Sequence, residues 1–221
     1  MNEPLPKAPC DGCGQVETIM GSLCDRCEET RLRRERVTRA KGGVSSLVRQ
    51  LESAPRLGSP EFAERVRAER LRLFAERYTF ERGNALVIGN SGTGKTTAVN
   101  ALVVRLAAEA VAAGADDSPI MSCRRTTGPR IARALRETRL GVECAELDHA
   151  RQCHVLVLDE IGQEMADPRW LFELMDERYG QRVTITASGL TRAELDARYG
   201  TGAARRLVEP VGSVLDLFGG A

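Results

Sequence analysis

Residues 89–96 read Gly-Asn-Ser-Gly-Thr-Gly-Lys-Thr, the G-x-x-x-x-G-K-[ST] spacing of a phosphate-binding loop. The run follows the apolar stretch Ala85 to Ile88 and opens a helical pattern, which is where phosphate chemistry needs it. Glycines at 89, 92 and 94 let the backbone curl so that its N–H groups and a helix N-terminus face an anion. Lys95 then reaches the β- and γ-phosphates, and Thr96 is the expected magnesium ligand. The expected nucleotide contacts are Gly89, Asn90, Ser91, Gly92, Thr93, Gly94, Lys95, Thr96 and Thr97, with ATP and Mg2+ as the ligands. The plainer reading, a Gly-rich turn with a solvated lysine, leaves both flanks unexplained.

A second constellation lies further along. Val155-Leu-Val-Leu-Asp-Glu160 is an apolar run ending in two carboxylates, as expected of a Walker B strand in a sheet whose ligands gather at the carboxyl ends of its strands. Asp159 is placed to hold magnesium and Glu160 to orient the attacking water, since phosphoryl transfer asks the protein for positioning rather than covalent chemistry. The alternative is an ordinary strand followed by a polar turn.

Cysteine supplies a third. Four of the seven cysteines form two C-x-x-C pairs, Cys10/Cys13 and Cys24/Cys27, ten residues apart. Each pair can make a knuckle presenting two thiolates, so together they complete a tetrahedral Zn2+ shell of the closed, structural kind. Redox chemistry and an iron–sulfur cluster are the other uses of such a set. Cys123, Cys144 and Cys153 lie in or near apolar segments and read as buried thiols.

The elements around these residues divide the 221-residue chain into three parts. Residues 1–30 carry the cysteines and too little apolar content for a core of their own, so a metal must staple them. Residues 31–59 run from a basic stretch with a local net charge of +5, Arg31 to Lys41, into a Gly- and Pro-containing connection. That stretch can grip phosphates or form a solvated helix face. Residues 60–221 alternate apolar runs and amphipathic helices, the pattern of an α/β parallel sheet covered by helices.

Within that part, one helix is expected from Pro60 to about Tyr78, with Phe62, Val66, Leu73 and Phe74 on one face. Strands are expected at Ala85 to Ile88, Ile120 to Cys123, Val155 to Leu158, Val183 to Thr186 and, at an edge, Val214 to Phe218. The helix opening near Gly94 should stop at Gly114, and Thr191 with Glu194 is a capping box. Asp167-Pro168 starts another helix, in which Trp170 reads as a packing residue. Lys plus Arg total 32 against 31 Asp plus Glu, so no whole-molecule field draws nucleic acid and any contact must come from local patches. No run approaches the roughly 20 apolar residues of a membrane span, and the first residues lack a signal-peptide core, so a cytoplasmic protein with no membrane partner is expected.

Taken together these residues resemble the DnaC/IstB-like AAA+ ATPases, a family that includes bacterial and phage helicase loaders and the helper ATPases of some transposons. The resemblance covers about Pro60 to Phe218. It rests on GNSGTGKT, on VLVLDEIG, on the helix ending Glu177-Arg-Tyr179 and on TITASGLTRAEL. It extends to Tyr199-Gly200 and to Arg205-Arg206-Leu207, where the family usually shows Ser-Arg-Leu. It implies an AAA+ P-loop core with no C-terminal lid domain and ATP hydrolysis. It also implies Arg206 acting across a subunit boundary as an arginine finger, hence a self-oligomer; a surface arginine on an amphipathic helix is the alternative. The implied partners are a replicative DNA helicase and single-stranded DNA, or a transposase in the transposition branch. One departure stands out: Ala187-Ser188-Gly189-Leu190 replaces the usual Thr-Ser-Asn-Leu, so the sensor asparagine is a glycine, slow hydrolysis is expected, and Ser188 is the available substitute. A small-molecule kinase would use the same loop but needs a lid of phosphate-clamping arginines and an acceptor pocket that the sequence does not display.

Overall fold

The computed structural model describes residues 7–11, 13, 17–19, 23–28, 31, 55–113, 118–139, 141–165 and 167–218. Contacts along the chain separate two units, Met1–Gly42 and Gly43–Ala221. In the first, β1 (Lys7–Pro9) and β2 (Glu17–Ile19) pair antiparallel with Ala8 opposite Thr18, and a helical turn occupies 25–28. The basic stretch beyond Arg31 and the connection through 54 lie outside the described residues, as does Gly114.

The second unit is an α/β P-loop core on a five-stranded parallel sheet: β3 (Asn84–Ile88), β4 (Cys123–Thr127), β5 (Val155–Ile161), β6 (Val183–Ser188) and β7 (Gly212–Asp216), in the order β4-β5-β6-β3-β7. Parallel strands need crossover helices, and these cover both faces of the sheet. The helices are α1 (Pro60–Arg65), α2 (Glu69–Arg77), α3 (Lys95–Ala112), α4 (Gly128–Glu137), α5 (Ala145–Gln152), α6 (Arg169–Arg178), α7 (Arg192–Tyr199) and α8 (Thr201–Arg206). Successive strand residues point to opposite faces, so Leu86, Ile88, Leu156 and Leu158 share one core with Ile131, Leu147, Trp170, Leu174 and Leu195. Trp170 is thus a packing residue, and the Thr191/Glu194 capping box forms in both directions.

The edge strand expected at Val214 to Phe218 lies two residues earlier, at Gly212–Asp216, and two further expectations are corrected. The helix expected over Pro60 to Tyr78 is two helices, broken at Val66, whose φ/ψ of −112°/80° is not helical. The cause is tertiary: a Cβ on Gly94 would lie 3.1 Å from Val66 Cα, so the break lays the backbone of Arg65 and Val66 directly against the phosphate loop. In consequence Leu71, Ala75 and Tyr78 turn inward while Leu73 and Phe74 are half-buried. The strand expected at Ile120 to Cys123 begins instead at Cys123 and runs through Arg124-Arg125-Thr126-Thr127, with a 3-10 turn over Pro119–Ser122 before it. β4 is a sheet edge whose polar residues are satisfied by neighbours, so it needs no apolar run. Arg124 Nη2 lies 2.5 Å from Glu146 Oε2, and Thr126 Oγ1 donates to Glu146 Oε1 at 2.6 Å.

One buried cation holds the other end of the sheet. Arg178 is 1% exposed and spends its guanidinium on carbonyls: Nη1 donates to Ala150 O and Cys153 O and Nη2 to Val183 O, each at 2.7 Å. It thereby caps the carbonyls that α5 leaves open at its C-terminus. Burial lowers its pKa, as expected for a cation taken out of water.

Candidate nucleotide site and metal centre

Strand order sets the site. β6 lies between β3 and β5, so the residue ending β6 touches both the strand that enters the phosphate loop and the strand that carries Asp159. That residue is Ser188: its carbonyl accepts from Gly89 N at 3.3 Å, and its hydroxyl donates to Ile161 O at 2.8 Å and accepts from Leu190 N at 3.0 Å. Ser188 is 1% exposed, and its hydroxyl is spent on the frame of the site, which removes it as a substitute for the sensor asparagine. Gly189 follows with no side chain, and a Cβ built there meets nothing within 4 Å.

The loop 89–94 leads into α3 at Lys95, so the first N–H groups of an 18-residue helix point out of the carboxyl end of the sheet. Gly92 and Gly94 take φ of 77° and 89°, a left-handed backbone that glycine alone adopts cheaply. Lys95 Nζ folds over this loop, donating to Gly89 O at 2.6 Å and Asn90 O at 2.8 Å. Burial lowers its pKa, with Asp159 acting in the opposite sense.

Across the cleft, Asp159 is 3% exposed, and its Oδ2 accepts from Thr96 Oγ1 at 2.8 Å. Two oxygens on adjacent positions of an octahedral Mg2+ stand roughly 2.9 Å apart, given metal–oxygen distances near 2.05 Å, so this pair fits the ion. Arg125 also reaches the same oxygen, at 3.3 Å, while its Nε donates to Asn100 Oδ1 at 3.0 Å. Glu160 has φ of 55°, a left-handed backbone that turns its carboxylate out of the strand. The cleft has a volume of about 820 Å3 and is lined by Lys95, Thr96, Thr97, Asp159, Glu160 and Gly189 among others. Arg206 is not among its lining residues; it sits at the end of α8, 2.7 Å from Asp176 Oδ1.

Sequence reading missed several residues here. Glu61, Glu64, Arg65 and Arg67 line the cleft because the break at Val66 carries them there. Arg125 and Glu164 come in through tertiary contacts that no spacing rule announces.

The four cysteine sulfurs of the first unit all lie within 4.8 Å of one another, and Cys13 Sγ to Cys24 Sγ is 3.9 Å. Tetrahedral coordination at about 2.3 Å per Zn–S bond places sulfurs roughly 3.8 Å apart, so the cluster fits Zn2+. Cys24 N donates to Cys10 Sγ at 3.2 Å, the backbone hydrogen bond of a knuckle that favours thiolate. Among the thiols themselves, the hydrogen bond to Cys24, desolvation and the nearness of Cys13 and Cys10 push Cys27 up to about 12. A dication in their midst reverses that preference, because a coordinating thiol is deprotonated outright.

The family model of the IstB-like ATP binding protein matches residues 19–205. Among solved structures, DnaI aligns at 19% identity with a TM-score of 0.50, covering 77% of this chain and 88% of that one. A putative primosome component from Streptococcus pyogenes serotype M3 aligns at 20% identity with a TM-score of 0.50, covering 75% and 84%. At these identities the likeness is one of fold. No curated protein matches the sequence significantly. Among the described residues, no helix is long and apolar enough to cross a membrane.

Proposed function

Because this chain belongs to the DnaC/IstB-like family, matching its IstB-like ATP binding proteins, we propose that it is a replication helper ATPase that delivers a replicative DNA helicase to single-stranded DNA. The observation that carries the nucleotide part is the convergence of Lys95, Thr96, Asp159 and Glu160 on one cleft at the carboxyl end of the sheet. In this reading the N–H groups at the start of α3 cradle the β-phosphate, and Lys95 exchanges the carbonyls of Gly89 and Asn90 for phosphate oxygens. Thr96 and Asp159 would hold Mg2+, which when bound would supply charge neutralisation to the phosphates. Glu160 orients a water for in-line attack, and Arg206 of a neighbouring copy meets the charge that develops. Self-association is therefore part of the mechanism. Domain organisation follows the same reading: 1–30 is a zinc-stapled module for a partner, 31–59 a basic connection, and 60–221 the motor.

A transposition helper that delivers a transposase is the second reading, favoured by the IstB-like character of the matched family. A third, a nucleotide-gated DNA-binding protein that hardly hydrolyses ATP, is favoured by the occupied hydroxyl of Ser188 and the bare Gly189.

The test combines nucleotide binding, turnover and loading. Lys95→Ala should abolish ATP binding in a folded protein. Glu160→Gln should bind ATP normally and lose turnover by about a hundredfold or more. The wild type should increase the amount of replicative helicase retained on single-stranded DNA in an ATP-dependent way. Normal turnover in Glu160→Gln sinks the catalytic assignment, and helicase retention unaffected by the protein sinks the loader.

A further inference from the structure

Glu164 is a carboxylate with no exposed side-chain surface, four residues beyond Glu160, and the chemistry described above leaves it without a role. Burying a carboxylate costs several kcal/mol unless its oxygens are satisfied, so its partners show what it is for. Oε2 accepts from Gly162 N at 2.9 Å. Oε1 accepts the hydroxyl proton of Tyr199, and Arg198 Nε stands 3.7 Å from the same oxygen. The backbone carbonyl of Glu164 takes a further hydrogen bond from Arg198 Nη2.

These contacts surround a turn that would not hold its shape unaided. Glu160 and Gly162 are both left-handed, at φ of 55° and 99°, and the first is a residue for which that conformation costs of order 1–3 kcal/mol. Such strain persists only where the surroundings over-determine it. Gly128, which opens α4, lies so close that a Cβ there would stand 2.7 Å from Glu164 Oε2 and 3.3 Å from Glu160 O. The turn is thus gripped by α4 on one side and by the last two residues of α7 on the other. α7 in turn leads through Gly200 directly into α8, the helix that ends at Arg206.

We infer that Glu164, clamped by Tyr199 and Arg198, is a positioning residue that holds the Glu160 turn in its hydrolytic geometry and ties it to the helix pair carrying Arg206. The inference rests on the proposed role of Glu160. Glu164 touches no reacting atom; it acts through the backbone of Gly162. An error of about 1 Å in a water-orienting carboxylate is worth up to a hundredfold in rate, whereas phosphate binding by the loop 89–96 does not pass through this turn.

The experiment uses the full-length protein with ATP. Tyr199→Phe removes one hydroxyl and keeps the buried ring, and Glu164→Gln keeps an acceptor for Gly162 N while removing the charge. Both should lower kcat by about ten- to a hundredfold, with the Kd for ATP within about twofold of wild type. In the Glu160→Gln background, Tyr199→Phe should change the residual rate by less than about twofold, because the group it positions is already gone. A general loosening would instead multiply the two losses. Unchanged kcat in folded Tyr199→Phe overturns the inference, as does a Kd that rises in step with the loss of kcat, or full additivity in the double variant. If Glu164→Gln fails to fold, Tyr199→Phe decides alone. Normal turnover in Glu160→Gln by itself refutes the reading of the catalytic site, so the two failures are told apart.

Discussion

Arg206 is held inside its own chain by Asp176: Nη2 lies 2.7 Å from Asp176 Oδ1, and the guanidinium carbon stands 4.5 Å from the centre of the Phe172 ring. Phe172 and Tyr179, the second ring beneath it, are both partly exposed. A finger that serves a neighbouring nucleotide must leave Asp176. Arg206 is 21% exposed and Asp176 54%, so solvent screens the pair from one side only. The ion pair contributes on the order of 1 kcal/mol and the ring stacking on the order of 1 kcal/mol more, a latch that a γ-phosphate can displace.

Turnover per chain should therefore rise with protein concentration, and Arg206→Ala should abolish that rise while preserving ATP binding. Asp176→Asn should lower the concentration for half-maximal stimulation by about two- to fivefold. Mixing Arg206→Ala with Lys95→Ala chains should restore activity, since some interfaces pair an intact loop with an intact finger. A mixture that stays inactive while both variants oligomerise overturns the trans role.

Metal analysis of the purified protein should find one zinc per chain. Replacing Cys10, Cys13, Cys24 or Cys27 with Ser should remove the zinc and unfold the first unit, leaving the thermal transition of the second in place. An ordered N-terminal hairpin in metal-free protein, seen by amide exchange, would contradict the assignment.

Gly189 offers a gain-of-function test. The site has room for a side chain, and its backbone is not left-handed, so Gly189→Asn should fold normally. If the missing amide is what limits hydrolysis, turnover should rise severalfold, and by at most about a hundredfold, with ATP affinity unchanged. Equal turnover in a folded variant that binds ATP means that the slow step lies elsewhere.

Glu146 gives a pH dependence. Burial opposes its ionisation, but hydrogen bonds from Thr126 and Arg124, with charge from Arg124 and Arg130, prevail and hold its pKa below the ordinary value. A depressed folded pKa contributes stability above the unfolded value, about 4.3, and loses it as pH falls through the folded one. Glu146→Gln should thus cost about 1 kcal/mol at neutral pH, with the gap to wild type closing below about pH 4. Denaturant titrations at several pH values would show it, and a gap that widens on acidification refutes the network.

Local patterns carried most of what could be read without coordinates. The phosphate loop, the Asp159-Glu160 strand end, the Thr191 capping box and the cysteine knuckles each depend on residues within a few positions of one another. What escaped reading depends on distant partners. The helix from Pro60 breaks at Val66 because Gly94 admits the backbone there, and no periodicity in the helix itself announces it. β4 reads as polar because its satisfaction comes from Glu146, twenty residues on. Glu164 carries no signal in the sequence, and Arg178 stands in the Glu177-Arg-Tyr179 segment without announcing its role, since their partners are backbone groups and a tyrosine far along the chain.

The break at Val66 has a mechanical side. The chain arriving through Ser59 and α1 crosses the phosphate loop at Arg65 and Val66 before α2 begins. Phe62, 1% exposed, anchors α1 just before that crossing, so the leading segment is fixed to the domain beside the loop and ahead of every strand of the sheet. A nucleotide that stiffened the loop at Gly94 would therefore stiffen the anchorage of the leading segment as well.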